Sequence, residues 1–76
     1  MKKGIKSKQG FVENELCMAL QRADNRIDEV IYDYDEEHDL ETVLILYRNG
    51  SRKEVNVTGD SKLTIMFDVA SRLLTK

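Results

Sequence analysis

Two segments of the chain place apolar residues at steps of three and four, the spacing that puts them on one face of an α-helix. The first predicted helix runs from Phe11 to Asp24, and its stripe is Val12, Leu16, Ala19, Leu20, Ala23 and Ile27. The second runs from Ser61 to about Leu74, and its stripe is Leu63, Met66, Phe67, Ala70, Leu73 and Leu74. Ile65 and Val69 lie off the second stripe, so we expect them to be exposed or to contact a partner.

Three segments between the helices have the alternation and the residue types of β-strands. In the first, Val30, Tyr32 and Tyr34 share one face, and Ile31, Asp33 and Asp35 share the other. The second, Glu41 to Arg48, contains the unbroken apolar run Val43–Tyr47, which is typical of a central strand covered at least in part on both faces. The third, Arg52 to Thr58, places Val55 and Val57 on one face.

Asn49-Gly50, between the second and third strands, is a strong signal for a β-hairpin turn. A two-residue turn would pair Leu44 with Val55, and a three-residue turn with a glycine bulge would pair Val43 with Val55. We favour the bulged turn because it gathers the inward-facing apolar residues of both strands on one face. The whole pattern predicts an α+β fold of order α-β-β-β-α, with a three-stranded antiparallel meander and both helices packed on one face.

The 76 residues suffice for one domain. We assign residues 11–76 to a single α+β domain and residues 1–10, which carry four lysines, to a flexible basic arm. No apolar run approaches the length of about 18 residues that a membrane span needs, and no apolar segment follows the basic start as it would in a secretory signal. The single cysteine excludes an internal disulfide, which favours a reducing compartment, the cytoplasm of a bacterial host.

The net charge of −2 hides a strongly acidic block. Residues 24–41 contain nine carboxylates and a single base, Arg26, whereas the segments on either side are each basic by +3. Such a block repels nucleic acid and attracts cationic surfaces, so direct binding of nucleic acid is not expected there. Alternate residues of a strand are about 6.6 to 6.8 Å apart, close to the phosphate spacing along one nucleic-acid strand. A row of carboxylates could therefore imitate DNA. The simpler interpretation is a solvated hairpin tip.

The sequence contains few residues that could form a catalytic site. The only histidine, His38, lies in a predicted turn, and the only cysteine, Cys17, lies on a helix, where we expect a small packed hydrophobic residue. Glycine-rich phosphate loops are absent from the sequence. We therefore expect a protein that is not an enzyme and that requires no cofactor.

A zinc site is the sharpest chemical hypothesis. Asp33 and Asp35 share one strand face, and His38 and Asp39 lie in the turn that follows. Two or three carboxylates and an imidazole at this spacing could hold zinc with one position open. The spacing does not fit a calcium loop.

The stretch Tyr47–Ser61, which runs into the second amphipathic helix, resembles short uncharacterised proteins of phages and prophages in Gram-positive bacteria. The whole chain, small, with an acidic strand and without enzyme motifs, is similar in kind to anti-CRISPR proteins that inhibit type II effector nucleases. The resemblance implies an inhibitor. Some proteins of that group block loading of target DNA, and some bind a metal.

Three hypotheses for function follow. The first is an anti-CRISPR-type inhibitor that binds an RNA-guided CRISPR effector nuclease through an acidic surface. Its partner-binding residues would be Asp28, Glu29, Asp33, Asp35, Glu36, Glu37, Asp39 and Glu41, with Tyr32 and Tyr34 as anchors. The second is a phage structural or assembly protein that forms a homodimer through a strand edge and the Ile65/Val69 face. The third is a small regulator that binds nucleic acid through Lys2–Lys8 and the cluster Arg48, Arg52 and Lys53.

Overall fold

The computed structural model describes residues 4–74, and its first element is a long N-terminal helix in three segments. These are α1 (Ile5–Gly10), a π-helical segment (Phe11–Leu16) and α2 (Cys17–Ala23). The backbone stays helical through both junctions, so the three segments form one continuous rod, called the N-terminal helix below.

The N-terminal helix begins earlier than the sequence pattern predicts. Ile5–Gly10, which we had assigned to a flexible arm, is helical. Two contacts hold this turn in place: Ile5 packs against the core, and the Lys8 ammonium pairs with Glu41. The prediction of a flexible arm is therefore wrong for Ile5–Gly10, and Met1–Lys3 lie outside the described residues.

The π-helical segment changes which residues of the helix are buried. Val12, Leu16, Cys17 and Leu20 are buried, whereas Ala19 and Ala23 of the predicted stripe are exposed. A π-turn closes its hydrogen bonds over five residues instead of four, so each turn contains more residues than an α-helical turn. The buried positions therefore recur every four residues and no longer follow the stripe of an α-helix. Cys17 is buried, as expected for a packed hydrophobic residue.

Three antiparallel strands form one sheet in the order β1-β2-β3. They are β1 (Ile27–Asp35), β2 (Leu40–Tyr47) and β3 (Arg52–Asn56). Val43 lies opposite Val55, which confirms the bulged three-residue turn. The Gly50 N–H donates to the Tyr47 carbonyl oxygen at 3.0 Å, and Gly50 has a φ of 90°, a left-handed conformation that favours glycine.

The two faces of the sheet differ. Both helices pack on the face that carries Val30, Tyr32, Val43, Ile45, Val55 and Val57. On the opposite face, Ile31 lies across from Leu44, and both side chains remain half-buried. The apolar run of β2 therefore supplies the main core on one side and a small apolar strip on the other.

The C-terminal helix α3 (Lys62–Leu74) buries a different face from the one that its sequence predicts. Ile65 and Val69 are fully buried, whereas Leu63, Met66 and Phe67 are 58%, 38% and 65% exposed. The connection from β3 fixes this rotation, because the Val57 N–H donates to the Glu41 carbonyl oxygen and the Gly59 N–H donates to the Glu41 carboxylate. The prediction that Ile65 and Val69 are exposed is wrong. The side chain of Leu74 lies outside the described residues.

α3 begins where the sequence predicts. The Thr64 N–H donates to the Ser61 hydroxyl oxygen at 3.3 Å, so Ser61 caps the helix. None of the helices within residues 4–74 combines the length and the apolar character that crossing a bilayer requires.

Mutations can distinguish the observed orientation of α3 from the orientation that its predicted apolar stripe would give. We expect Ile65→Ala to lower the free energy of unfolding by about 3 kcal/mol, because it opens a cavity in the core. The control is Phe67→Ala, which removes a larger but exposed side chain and should change stability by about 0.5 kcal/mol or less. Urea denaturation measures both. A larger loss for Phe67→Ala would mean that the helix is rotated as its sequence stripe suggests.

Candidate functional site

The fold divides the acidic block into three environments. At the end of the sheet where β1 begins, Asp24 pairs with Arg26 at 2.7 Å, and Asp28 lies 3.9 Å from Arg48. Glu41 is buried beneath the helices, with 1% of its surface exposed. Glu29 is exposed near the start of β1, and the remaining five carboxylates lie at the opposite end, around the turn between β1 and β2.

Glu41 is held by partners from three parts of the chain. Its Oε1 accepts from the Lys8 ammonium at 2.9 Å and from the Tyr32 hydroxyl at 2.5 Å. Its Oε2 accepts from the Gly59 N–H at 3.0 Å, and its own N–H donates to the Thr58 hydroxyl oxygen. The carboxylate thus joins the N-terminal helix, β1 and the connection between β3 and α3.

Burial raises the pKa of the Glu41 carboxyl, but hydrogen bonds from Tyr32, Gly59 and Lys8 outweigh it, so the pKa lies below its usual value. The same contact affects Tyr32, whose pKa is raised by burial and then by its hydrogen bond to the Glu41 carboxylate. Glu41 is therefore charged at neutral pH and Tyr32 is neutral, the combination in which the hydroxyl donates to the carboxylate.

Asp60 lies close to Glu41 and interacts with a second carboxyl, that of Asp68. Burial, then a hydrogen bond with Asp68 and the charges of Asp68 and Glu41, raise the pKa of Asp60 to about 6. The buried Oδ2 of Asp60 has no hydrogen-bond donor among the described residues. A protonated Asp60 carboxyl can donate a hydrogen bond to the Asp68 carboxylate, which the charged form cannot.

The exposed carboxylates at the β1–β2 turn form a surface that we call the acidic tip, made of Asp33, Asp35, Glu36, Glu37 and Asp39. Asp33 and Asp35 lie on the face of β1 away from the helices. Asp35 caps the turn: its Oδ1 accepts from the N–H groups of Glu37 and His38, and its Oδ2 lies 2.9 Å from His38 Nδ1. The side-chain hydrogen bond from His38 lowers the pKa of Asp35, with a smaller contribution from the His38 N–H.

The acidic tip differs from the rest of the acidic block in its ion pairs. Within residues 4–74, no lysine or arginine forms an ion pair with Asp33, Glu36 or Glu37. Asp39 accepts a hydrogen bond from the Tyr34 hydroxyl at 2.9 Å. Because these charges lie within one short turn and the adjoining strand end, their potentials add at this end of the molecule.

The predicted zinc ligands are brought together only in part. Asp35 and His38 are in contact, but the Asp39 carboxylate accepts from Tyr34. Tyr34 lies on the opposite face of β1 from Asp33 and Asp35. Across residues 4–74, no group of three or more potential ligands is arranged to hold a metal. Zinc at this turn stays a prediction.

The partner-binding set predicted from the sequence does not form one surface. Tyr32 and Glu41 are buried in the core network and cannot contact a partner in this conformation. Asp28 and Glu29 are exposed, but they lie at the start of β1, near Arg48. Tyr34 is half-buried and borders the acidic tip through Asp39. The acidic tip is therefore the part of the set whose exposed carboxylates lie together.

Sequence reasoning missed the buried network around Glu41, although one signal could have found it. Glu41, Val43 and Ile45 are alternate residues of β2, so they share one face of the strand, and the Glu41 carboxylate lies on the buried face. A buried carboxylate requires donors, and the chain offers Lys8 and Tyr32. The Asp60–Asp68 contact has no comparable signal, because it depends on the rotation of α3.

Comparison with protein-family models, with curated proteins and with solved structures finds no match to this chain.

Loss of the Glu41 charge should destabilise the fold. We expect Glu41→Gln to lower the free energy of unfolding by about 2 kcal/mol, because the amide cannot accept from every donor and Lys8 loses its anionic partner. The matched control is Glu54→Gln on an exposed position of β3, which should be close to neutral. Chemical denaturation near neutral pH measures both. Equal stability of the two variants would contradict the role of Glu41 as the buried link.

Stability should also depend on the protonation of Asp60. Its pKa is about 6 in the folded protein and near its ordinary value of 3.8 in the unfolded chain, so the folded state binds the proton more tightly. The contribution of Asp60 is therefore fully favourable below about 4 and is lost as pH rises through 6. Asp60→Asn can donate to Asp68 at every pH.

We expect Asp60→Asn to be more stable than the natural chain by about 1 kcal/mol at pH above 7, with the difference closing between about pH 6 and pH 4. Thermal unfolding across this range measures the difference. Asp33→Asn, at the exposed acidic tip, serves as a control whose difference should not follow this profile. A gap for Asp60→Asn that stays constant with pH would contradict the raised pKa of Asp60.

Proposed function

We propose that this protein is a protein-binding inhibitor that presents its acidic tip to a cationic, nucleic-acid-binding groove of another protein. The observation that carries the proposal is the group of carboxylates at the β1–β2 turn, of which Asp33, Glu36 and Glu37 have no lysine or arginine partner within residues 4–74. A groove lined by arginine and lysine would supply the counter-charge that Asp33, Glu36 and Glu37 lack among residues 4–74.

The acidic tip is held in a defined shape, which favours a role in recognition. Asp35 pairs with Leu40 across the strands and caps the turn through the N–H groups of Glu37 and His38. The Tyr34 hydroxyl restrains Asp39, which has a left-handed φ of 54°. A preorganised turn loses little conformational entropy on binding, so more of its electrostatic attraction contributes to affinity.

The partner that we propose is an RNA-guided effector nuclease of type II, whose DNA-binding groove the acidic tip would occupy, so that target DNA cannot load. The resemblance to anti-CRISPR proteins supports this class of partner, and the exposed negative charge supports the mode of binding. The buried Glu41 network keeps the scaffold rigid behind the turn and takes no direct part.

The test is inhibition of target-DNA cleavage by a type II effector nuclease over a range of about 50 to about 300 mM salt. The triple variant Asp33→Asn, Glu36→Gln, Glu37→Gln should inhibit about tenfold less well than the natural chain, since three exposed charge contacts are lost. The charge-matched control is Glu15→Gln, Glu29→Gln, Glu54→Gln, which neutralises exposed carboxylates elsewhere. It should keep its potency, and inhibition by the natural chain should weaken with salt.

Equal inhibition by the two triple variants, or inhibition that does not change with salt concentration, would contradict docking through the acidic tip. No inhibition by the natural chain of any nuclease tested would remove the proposed partner class.

A second candidate, a homodimeric structural or assembly protein of a phage, is favoured by the outer edge of β3. The Tyr47 N–H donates to the Ser51 carbonyl and the Val57 N–H to the Glu41 carbonyl, so antiparallel alternation directs the backbone groups of Arg52, Glu54 and Asn56 away from β2. The outer edge of β1, in contrast, is covered where Glu13 accepts from the Tyr32 N–H and Gln21 donates to the Asp28 carbonyl.

The Ile65/Val69 face cannot contribute to such a dimer, because both side chains are buried in the protomer. Sedimentation of the sample used for the cleavage assay separates the two candidates. A tight homodimer without affinity for the nuclease supports the assembly protein, and a monomer that inhibits supports the inhibitor.

A further inference from the structure

A pocket of about 760 Å³ opens at the end of the molecule opposite the acidic tip. It lies between the loop that follows α2 and the β2–β3 hairpin, and its lining includes Arg26, Tyr47, Arg48, Asn49 and Lys53. Its volume lies within the range of sites for small ligands and cofactors. No carboxylate is among the residues that line it, so its charged lining is entirely cationic.

Hydrogen bonds to the chain position the guanidinium groups of Arg26 and Arg48. Arg26 donates from Nε and Nη2 to the Asp24 carboxylate at 2.9 and 2.7 Å. The Nε of Arg48 donates to the Asn25 carbonyl at 2.9 Å, and the Arg48 N–H donates to the Arg26 carbonyl. Because a guanidinium carries five N–H groups, each arginine keeps most of its donors for a ligand.

The other polar groups add donors and a cation. Lys53 forms no ion pair with a carboxylate within residues 4–74. The Oδ1 of Asn49 already accepts from the Ser51 N–H and hydroxyl at 2.9 and 2.7 Å, which leaves the amide nitrogen of Asn49 as a free donor. Three cations and an amide donor match an anion with several oxygens, and a phosphate group has this form.

Tyr47 gives the pocket an aromatic wall beside these donors. It is the last residue of β2 and packs partly against the core, so its ring is fixed by the sheet. An aromatic side chain next to arginines can stack on a nucleobase while the arginines hold the phosphate. An anion without an aromatic part would use only the cationic side.

We propose that this pocket binds a nucleoside phosphate, with the phosphate against Arg26, Arg48 and Lys53 and the base against Tyr47. The ligand is a free nucleotide or the phosphorylated end of a single strand, which share this chemistry. The site is independent of the proposed inhibitor function, since it lies at the other end of the sheet and uses none of the residues of the acidic tip.

The experiment is a titration of the ¹⁵N-labelled protein with adenosine 5′-monophosphate at low ionic strength, followed by amide chemical shifts. We expect shifts concentrated in residues 25–26 and 47–53. Lys53→Gln should weaken the affinity by about tenfold, because it removes one charge-assisted contact to the phosphate. The matched control Lys62→Gln, at an exposed position at the start of α3, should leave the affinity unchanged.

Further probes separate the two halves of the site. Inorganic phosphate should bind more weakly than adenosine 5′-monophosphate but at the same residues, and adenosine alone should bind more weakly still. Tyr47→Leu should weaken the nucleotide and leave inorganic phosphate unchanged. A 5′-phosphorylated dinucleotide compared with adenosine 5′-monophosphate distinguishes a strand end from a free nucleotide.

Shifts spread over all lysines and arginines, or equal weakening by Lys53→Gln and Lys62→Gln, would overturn the proposal in favour of diffuse attraction. No shifts at millimolar nucleotide would also overturn it. Equal affinity for inorganic phosphate and the nucleotide would overturn the role of Tyr47 and leave a phosphate site only.

Discussion

The buried carboxylate of Glu41 is the interaction on which the arrangement of this small domain depends. A charge that is 1% exposed is stable only when its oxygens are fully supplied with donors, and here the donors come from Lys8, Tyr32 and the Gly59 N–H. Each donor belongs to a different element. The requirement to satisfy one carboxylate therefore fixes the first turn of the N-terminal helix, the face of β1 and the start of α3 at the same time.

The antiparallel meander also separates negative from positive side chains. Its two hairpin turns lie at opposite ends of the sheet, so the carboxylates of the first turn are separated from the cations of the second. In the part of the chain that the structure describes, Asp33, Glu36 and Glu37 of the acidic tip have no lysine or arginine partner, whereas Asp24 and Asp28 help to position the arginines of the pocket. Both proposed functions follow from this separation, one at each end of the molecule.

Local signals predicted the elements and their pairing well. Asn49-Gly50 and the alternation around Val43 and Val55 were enough to choose the hairpin register, because a slip of one residue would expose the apolar face. The acidic tip was predicted in part: its exposed carboxylates are those of the turn, but Glu41 and Tyr32 of the predicted set are buried. Arg48 and Lys53 of the pocket were predicted as part of a nucleic-acid contact, but Arg26 and the cavity were not, because they need the α2–β1 loop and the hairpin to meet.

The sequence alone determined the α-β-β-β-α order and the register between β2 and β3, since each depends on residues close together in the chain. Only the tertiary structure decided which face of α3 is buried, because two apolar stripes compete on that helix and the contacts of its connection with Glu41 select Ile65 and Val69. The same holds for the pairing of Lys8 with Glu41. Contacts between residues 33 positions apart depend on how the elements pack, and a local pattern carries no information about packing.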